Sequence, residues 1–218
     1  MNTMKLLLIA CLAPILQAQE ALAAAYPMKI TISPGAKAGV VHELPPPEDA
    51  VRGYDTVLIN GLLPDMNVKL RLGSQDPAAY EIFPGGRFWA KYKVPAGEPL
   101  TLSVPGGGAA REHVVTIYNA EAFIAADQKE AASAAVPGRE PGVSKAISFP
   151  ITWRSGWGAV PVSGYTWHTP RKFTLHHTAG PRPADRAAAE AEMRFIQNQH
   201  RNGNGWLDIG YHFIISPQ

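Results

Sequence analysis

Cysteine is nearly missing: Cys11 is the only one in 218 residues. A lone thiol closes no disulfide within the chain, so the fold rests on packing and hydrogen bonds alone. An excess of charge of one sign is missing too. Twenty Lys and Arg against 18 Asp and Glu leave a formal charge of +2, which gives no case for a nucleic-acid partner. The apolar run Leu6–Leu16, interrupted at Pro14, is too short to cross a bilayer. What the chain has in quantity is 20 Pro and 20 Gly, pointing to strands joined by turns and at least one linker. Its 46% hydrophobic and 17% charged residues fit an ordinary globular protein.

The N-terminus reads as a secretory signal over 1–25. Lys5 supplies the positive start, Leu6–Leu16 the apolar core, and Ala21-Leu22-Ala23 and Ala23-Ala24-Ala25 the small-x-small cleavage sites. Cleavage near Ala23 or Ala25 predicts a secreted or periplasmic protein with no transmembrane segment. Leu8-Ile9-Ala10-Cys11 resembles a lipoprotein box, but the apolar stretch before that Cys is short for a signal core. Lipidation at Cys11 is the lesser alternative.

Residues 26–124 predict a small antiparallel β-sandwich-like domain. Met28–Ser33, Val68–Leu72, Leu100–Val104 and part of Val114–Tyr118 alternate apolar and polar residues, with Val57–Ile59 and Phe88–Val94 as further strands. Turn chemistry separates them, including Asn60-Gly61, Pro64-Asp65 and Pro84-Gly85-Gly86. The lone His42 and His113 predict surface or packing positions, and no catalytic constellation stands out in this region. Residues 125–148, rich in Ala, Pro and Gly, predict a linker. A second unit, 149–218, predicts a strand at Phe173–His177 and a helix from an Asp185 cap to about Arg201. Ala189, Met193, Ile196 and His200 share one face of that helix. Asn202-Gly203-Asn204-Gly205 ends it and a strand follows at Ile209–Ile215. Trp157 reads as buried, His200 as core or boundary, and His168 as exposed in a loop. Trp206 and Asp208 are expected to fix the turn before the last strand.

Strand alternation sends His176 and His177 to opposite faces, so the pair supplies one metal ligand at most. It also sends Tyr211, Phe213 and Ile215 one way, His212 and Ile214 the other.

Three segments carry chemistry in order: Arg154-Ser155-Gly156-Trp157-Gly158-Ala159, Leu175-His176-His177-Thr178-Ala179-Gly180, and Ile196–His200 followed by Gly205–Ile215. Together they resemble the peptidoglycan recognition protein and type 2 N-acetylmuramoyl-L-alanine amidase family, over roughly residues 151–218. The resemblance implies an amidase-like α+β or α/β domain with a mixed sheet and helices, incomplete here. It implies peptidoglycan or muropeptides as partner, and Zn2+ as cofactor for cutting the amide between the lactyl group of N-acetylmuramic acid and L-alanine. His176 matches the family's first zinc ligand, and Tyr211 matches a tyrosine near the catalytic water. His177 is expected to pack or to hydrogen-bond behind the metal. Thr178 and Arg154 are expected near the substrate groove, Arg154 alternatively pairing with a carboxylate.

The chemistry suits those residue types. A neutral imidazole binds zinc well, three protein ligands leave a position for water, and zinc lowers that water's pKa. The departure is that the family's other ligands, a second His and a Cys or Asp, come from beyond the Tyr-x-Phe strand. The 218-residue chain therefore reads as a fragment, and one histidine predicts little or no amidase activity. The alternative is a non-catalytic peptidoglycan-binding protein.

Overall fold

The computed structural model describes residues 20–21, 26–35, 40–44, 53–64, 68–95, 98, 100–104, 112–128, 151–162, 174–175 and 177–216. Most of the expected signal, most of the expected linker, His168, Phe173 and His176 lie outside them.

The fold is mixed α+β, mainly antiparallel sheet with little helix. The larger sheet is ordered β1(Glu20–Ala21), β9(His113–Phe123), β4(Thr56–Leu62), β7(Arg87–Lys93), β6(Ala79–Ile82), and β2(Met28–Ile32) also pairs with β9. The smaller sheet runs β3(Val40–Glu43), β8(Thr101–Val104), β5(Arg71–Leu72). Every one of these pairings is antiparallel. Apolar residues of both sheets, among them Ile30, Val57, Ile59, Phe88, Tyr92, Leu102 and Ile117, form one buried cluster. Tyr92, fully buried there, donates its hydroxyl proton to the Leu70 carbonyl at 3.1 Å.

The other face of the larger sheet is covered as well. Leu58 of β4, Trp89 of β7 and Phe123 of β9 pack against Phe195 and Ile196 of helix α1(Arg186–Asn198). β4 is therefore buried along both faces, unlike an edge strand with one face in water. The helix begins where the sequence places it. Asp185 Oδ1 accepts the Ala188 N–H at 2.8 Å, satisfying one of the unpaired donors of the first turn. Asp185→Ala is expected to lower stability by about 1 kcal/mol, measured as a shift in the urea midpoint.

After Asn198 the helix widens into a π-helical turn, Gln199–Asn204, closed by Gly205 at φ 86°. Ile196 and His200 are buried and Met193 half-buried, as the expected helical face requires; Phe195 joins them in the core.

Four expectations need correction. Asn60-Gly61 is not a turn but lies inside β4, at a β-bulge in the pairing with β9. Asn60 faces Asn119 while Gly61 faces Ile117, leaving Tyr118 as the extra residue. Val68–Leu72 forms a ladder only at Arg71–Leu72. The expected strand Ile209–Ile215 is irregular chain, as are the described residues of Phe173–His177. The backbone donor of Gly210, which a ladder would use, goes instead to His200 Nδ1 at 3.0 Å. Ile209 and Tyr211 pack on the helix-side cluster, whereas Phe213 and Ile215 are 68% and 85% exposed, so strand alternation does not hold there.

Candidate functional site

A cleft of about 450 Å³ opens between the helix-facing side of the larger sheet and the start of the π-turn. Strand geometry and the bulge set its floor. On β9, Asn119 and Glu121 point to the helix side by the period of two. The bulge resets that phase, so Tyr118 points there too, and two consecutive side chains line one cleft. Asn60 joins them from β4, as the cross-strand partner of Asn119. Ile196, Gln199 and His200 form the helical wall, and His177, Thr178, Ala179 and Tyr211 close the mouth. The chain turns sharply at Ala179, which takes a left-handed φ of 45°. The following Gly180 presses so close that a Cβ there would meet Glu192 Oε1 at 2.6 Å.

Arg87 lies in this wall, held by three hydrogen bonds. Its Nε and one terminal nitrogen donate to both oxygens of Glu192 at 3.2 and 2.7 Å, and the other donates to the Gly61 carbonyl at 3.0 Å. Its guanidinium stacks 3.9 Å from the Phe195 ring centroid. The Arg87–Glu192 pair thus ties sheet to helix. Trp89 adds a second tie, donating Nε1–H to Asn198 Oδ1 at 2.9 Å.

Glu121 is the other charged group of the floor. Asn119 Nδ2 donates to its Oε1 at 2.6 Å, and the Asn204 side chain also hydrogen-bonds the carboxylate. Burial outweighs these bonds and pushes the carboxyl up from an ordinary 4.5 to about 7. His200 lines the same cleft, its ring centroid 4.6 Å from that of Trp206 and 5.5 Å from that of Tyr211. Burial pushes this imidazole down to about 4. It is neutral at physiological pH, with Nδ1 accepting from Gly210 and the proton on Nε2. Burial also raises the Tyr211 hydroxyl, which stays protonated near neutrality.

Glu121 and His200 act on stability in opposite senses. The raised carboxyl contributes stability below pH 4.5, and that contribution is lost as pH rises through about 7. The lowered imidazole contributes above its ordinary 6.5, and that contribution is lost as pH falls through about 4. Between these limits the two slopes, each at most about 1.4 kcal/mol per pH unit, largely cancel. Glu121→Gln should unmask the histidine, so that stability climbs from pH 4.5 to 6.5 where the wild type is nearly flat. Urea midpoints across that range check it; parallel profiles for the two proteins would refute the cancellation.

Of the residues singled out from sequence, His177, Thr178 and Tyr211 come together at this cleft. His177 is exposed at its mouth, not buried in a core. His176 lies outside the described residues. Arg154 is elsewhere: it forms a two-pronged pair with Asp208, at 2.7 and 3.1 Å, and donates to the Val160 carbonyl at 3.1 Å. Gln197 donates to the same Asp208 at 2.8 Å, so Asp208 anchors side chains and is not a backbone-turn acceptor alone. Trp157 is buried, and Trp206 donates its indole N–H to Gln128. Sequence reading passed over Arg87, Asn60, Asn119 and Glu121. Their polar, alternating pattern is that of any solvent-facing strand side, and only the distant helix turns that side into a cleft. Among the described residues no three His, Cys, Asp or Glu side chains converge as a metal site. No described helix is long and apolar enough to cross a membrane.

Mouse Peptidoglycan recognition protein 1 is 36% identical to this chain over 76 residues, 34% of this chain and 41% of that protein. The chain resembles the peptidoglycan recognition proteins. Peptidoglycan-recognition protein SC1a of Drosophila melanogaster is 46% identical over 41 residues, 19% of this chain and 22% of that protein. The human N-acetylmuramoyl-L-alanine amidase is 39% identical over 67 residues, 28% of this chain and 12% of that protein. Each match spans less than half the length of the relative. No family model and no solved structure matches the chain.

Proposed function

We propose that this protein binds peptidoglycan, taking a muropeptide into the cleft beneath α1. The observation that carries this reading is the meeting of His177, Thr178 and Tyr211 at one cleft. These residues come from two separate motif segments whose likeness to recognition proteins is otherwise only a matter of sequence. The cleft suits such a ligand: polar side chains on the floor, aromatic rings of Tyr118 and Tyr211 at the sides, and an open mouth. Cleavage of an export signal near Ala23 or Ala25, which would remove β1 from the sheet, would deliver the chain to the compartment that holds peptidoglycan. Calorimetric titration of the 218-residue protein with muramyl tripeptide tests the reading. Saturable binding, weakened by Thr178→Arg at the mouth, is expected, and absence of binding overturns it.

A second reading is zinc-dependent hydrolysis of the N-acetylmuramoyl–L-alanine amide. It is favoured by Tyr211, the counterpart of a tyrosine near the catalytic water, lying in the same cleft as the neighbour of His176. Bound zinc would supply an activated water and polarise the scissile carbonyl. The described residues do not assemble a zinc site around this cleft; His176, outside them, would be the ligand this chain supplies. What the chain itself offers is a protonated Tyr211 hydroxyl, able to donate to a developing oxyanion. Chromatographic assay of muropeptides with and without Zn2+ separates the two readings. Zinc-dependent release of stem peptide, lost in His176→Ala, supports hydrolysis; binding without release leaves recognition alone.

A further inference from the structure

The floor of the cleft holds two buried acceptors that no described residue serves. Glu121 Oε2 and Asn60 Oδ1 are both sealed from solvent and, among the described residues, both lack a hydrogen-bond partner, although Asn119 and Asn204 hydrogen-bond the Glu121 carboxylate elsewhere. They lie on one side of the sheet, on diagonal positions of the β4–β9 pair, with Asn119 between them. Asn119 already spends its amide on Glu121 Oε1. Arg87, the cation lining the same cleft, is bonded to Glu192 and the Gly61 carbonyl instead of to Glu121. A buried acceptor without a donor costs stability, and a buried carboxylate without a countercharge costs more.

We infer that Asn60 and Glu121 form a subsite for a protonated primary amine of the ligand. A hydroxyl or a water brings hydrogen atoms but no charge. A guanidinium brings charge on a wide planar fork, whereas an ammonium is a compact point charge with three donors. One donor serves Glu121 Oε2, one serves Asn60 Oδ1, and the third is left for the open side of the cleft. Tyr211, which also lines the cleft, brings an aromatic ring that suits a cation, whereas the Tyr118 ring already has the Arg87 guanidinium over it at 5.0 Å. The choice of ligand rests on the peptidoglycan reading: a stem peptide carrying a side-chain amine would place that amine here. The subsite belongs to β4 and β9, outside the segment that carries the family resemblance. It therefore assigns the N-terminal sheet a part in ligand choice.

The test compares two muramyl tripeptides ending in L-lysine, one with a free side-chain amine and one Nε-acetylated, by calorimetry on the 218-residue protein. Losing one charge-assisted hydrogen bond in a buried site corresponds to roughly tenfold to a hundredfold in affinity. The free amine should bind tighter than the acetylated peptide by that factor, and Glu121→Gln should abolish the difference. Asn60→Asp should retain the preference for the free amine. Equal binding of the two peptides to wild-type protein overturns the subsite and leaves the peptidoglycan reading standing. If neither peptide binds, that reading falls, and n-butylammonium chloride decides the subsite by NMR. Shifts of the Asn60 and Asn119 side-chain amides that vanish in Glu121→Gln support it, and no shifts overturn it.

Discussion

Arg87→Ala is expected to cost about 3–5 kcal/mol, because it strands the Glu192 carboxylate where solvent hardly reaches. The side chains of the pair are only 10% and 11% exposed. The same substitution removes the donor to the Gly61 carbonyl and the cation that stacks on Phe195. A total folding stability of about 5–15 kcal/mol makes this a large fraction. Denaturant unfolding of Arg87→Ala, Glu192→Ala and the double variant checks it, with the double costing clearly less than the sum of the singles. Replacing both by apolar residues, Arg87→Met with Glu192→Leu, should come close to wild-type stability, since the pair is costly to break and cheap to replace whole. An additive cycle would mean that the two side chains do not act as a unit.

Gly61→Ala is expected to cost about 3 kcal/mol or more, the range of a severe steric clash in a packed core. A Cβ at this position would sit 2.1 Å from the Thr116 carbonyl oxygen and 2.8 Å from Phe88 Cε1. The first contact is backbone, so no side-chain rotation relieves it, and β4 must move away from β9. Gly35→Ala makes the control. Gly35 has φ 71° and nothing within 4 Å of its would-be Cβ, so only the left-handed conformation is penalised, by about 1–2 kcal/mol. If the two variants unfold at the same denaturant concentration, close strand approach is not what Gly61 provides.

These two residues also mark where sequence reading succeeds and stops. β2 and β8 are visible in the period-two alternation, β4 and β7 only as further strand candidates, and α1 in its Asp185 cap and the recurrence of Ile196 and His200. Such signals are local, and local chemistry produces them. Asn60-Gly61 carries an equally local turn signal and misleads. The glycine answers to Thr116, far along the chain, and not to its neighbours. β3 and β6 are short strands whose identity comes from the partners they find. Tyr211 and His177 announce themselves through their motifs, but their meeting depends on irregular chain that alternation misassigns as strand. Arg87 and Glu121 fall just outside the strand candidates Phe88–Val94 and Val114–Tyr118, and nothing local marks them. Their roles exist only because α1 and the π-turn close over them.

Burial of β4 on both faces also predicts how the molecule exchanges its hydrogens. Its amides pair with β7 on one side and β9 on the other, under side chains packed above and below. Deuterium should enter them only when the whole domain opens, making them the slowest-exchanging group in the protein. Asn60 sits on that strand, so the floor of the cleft is in place before any ligand arrives. Protection gained on binding should therefore register in 177–180 and 205–216, the irregular segments around the mouth. β4 itself, already at the ceiling set by global unfolding, would slow only as far as the ligand stabilises the entire fold.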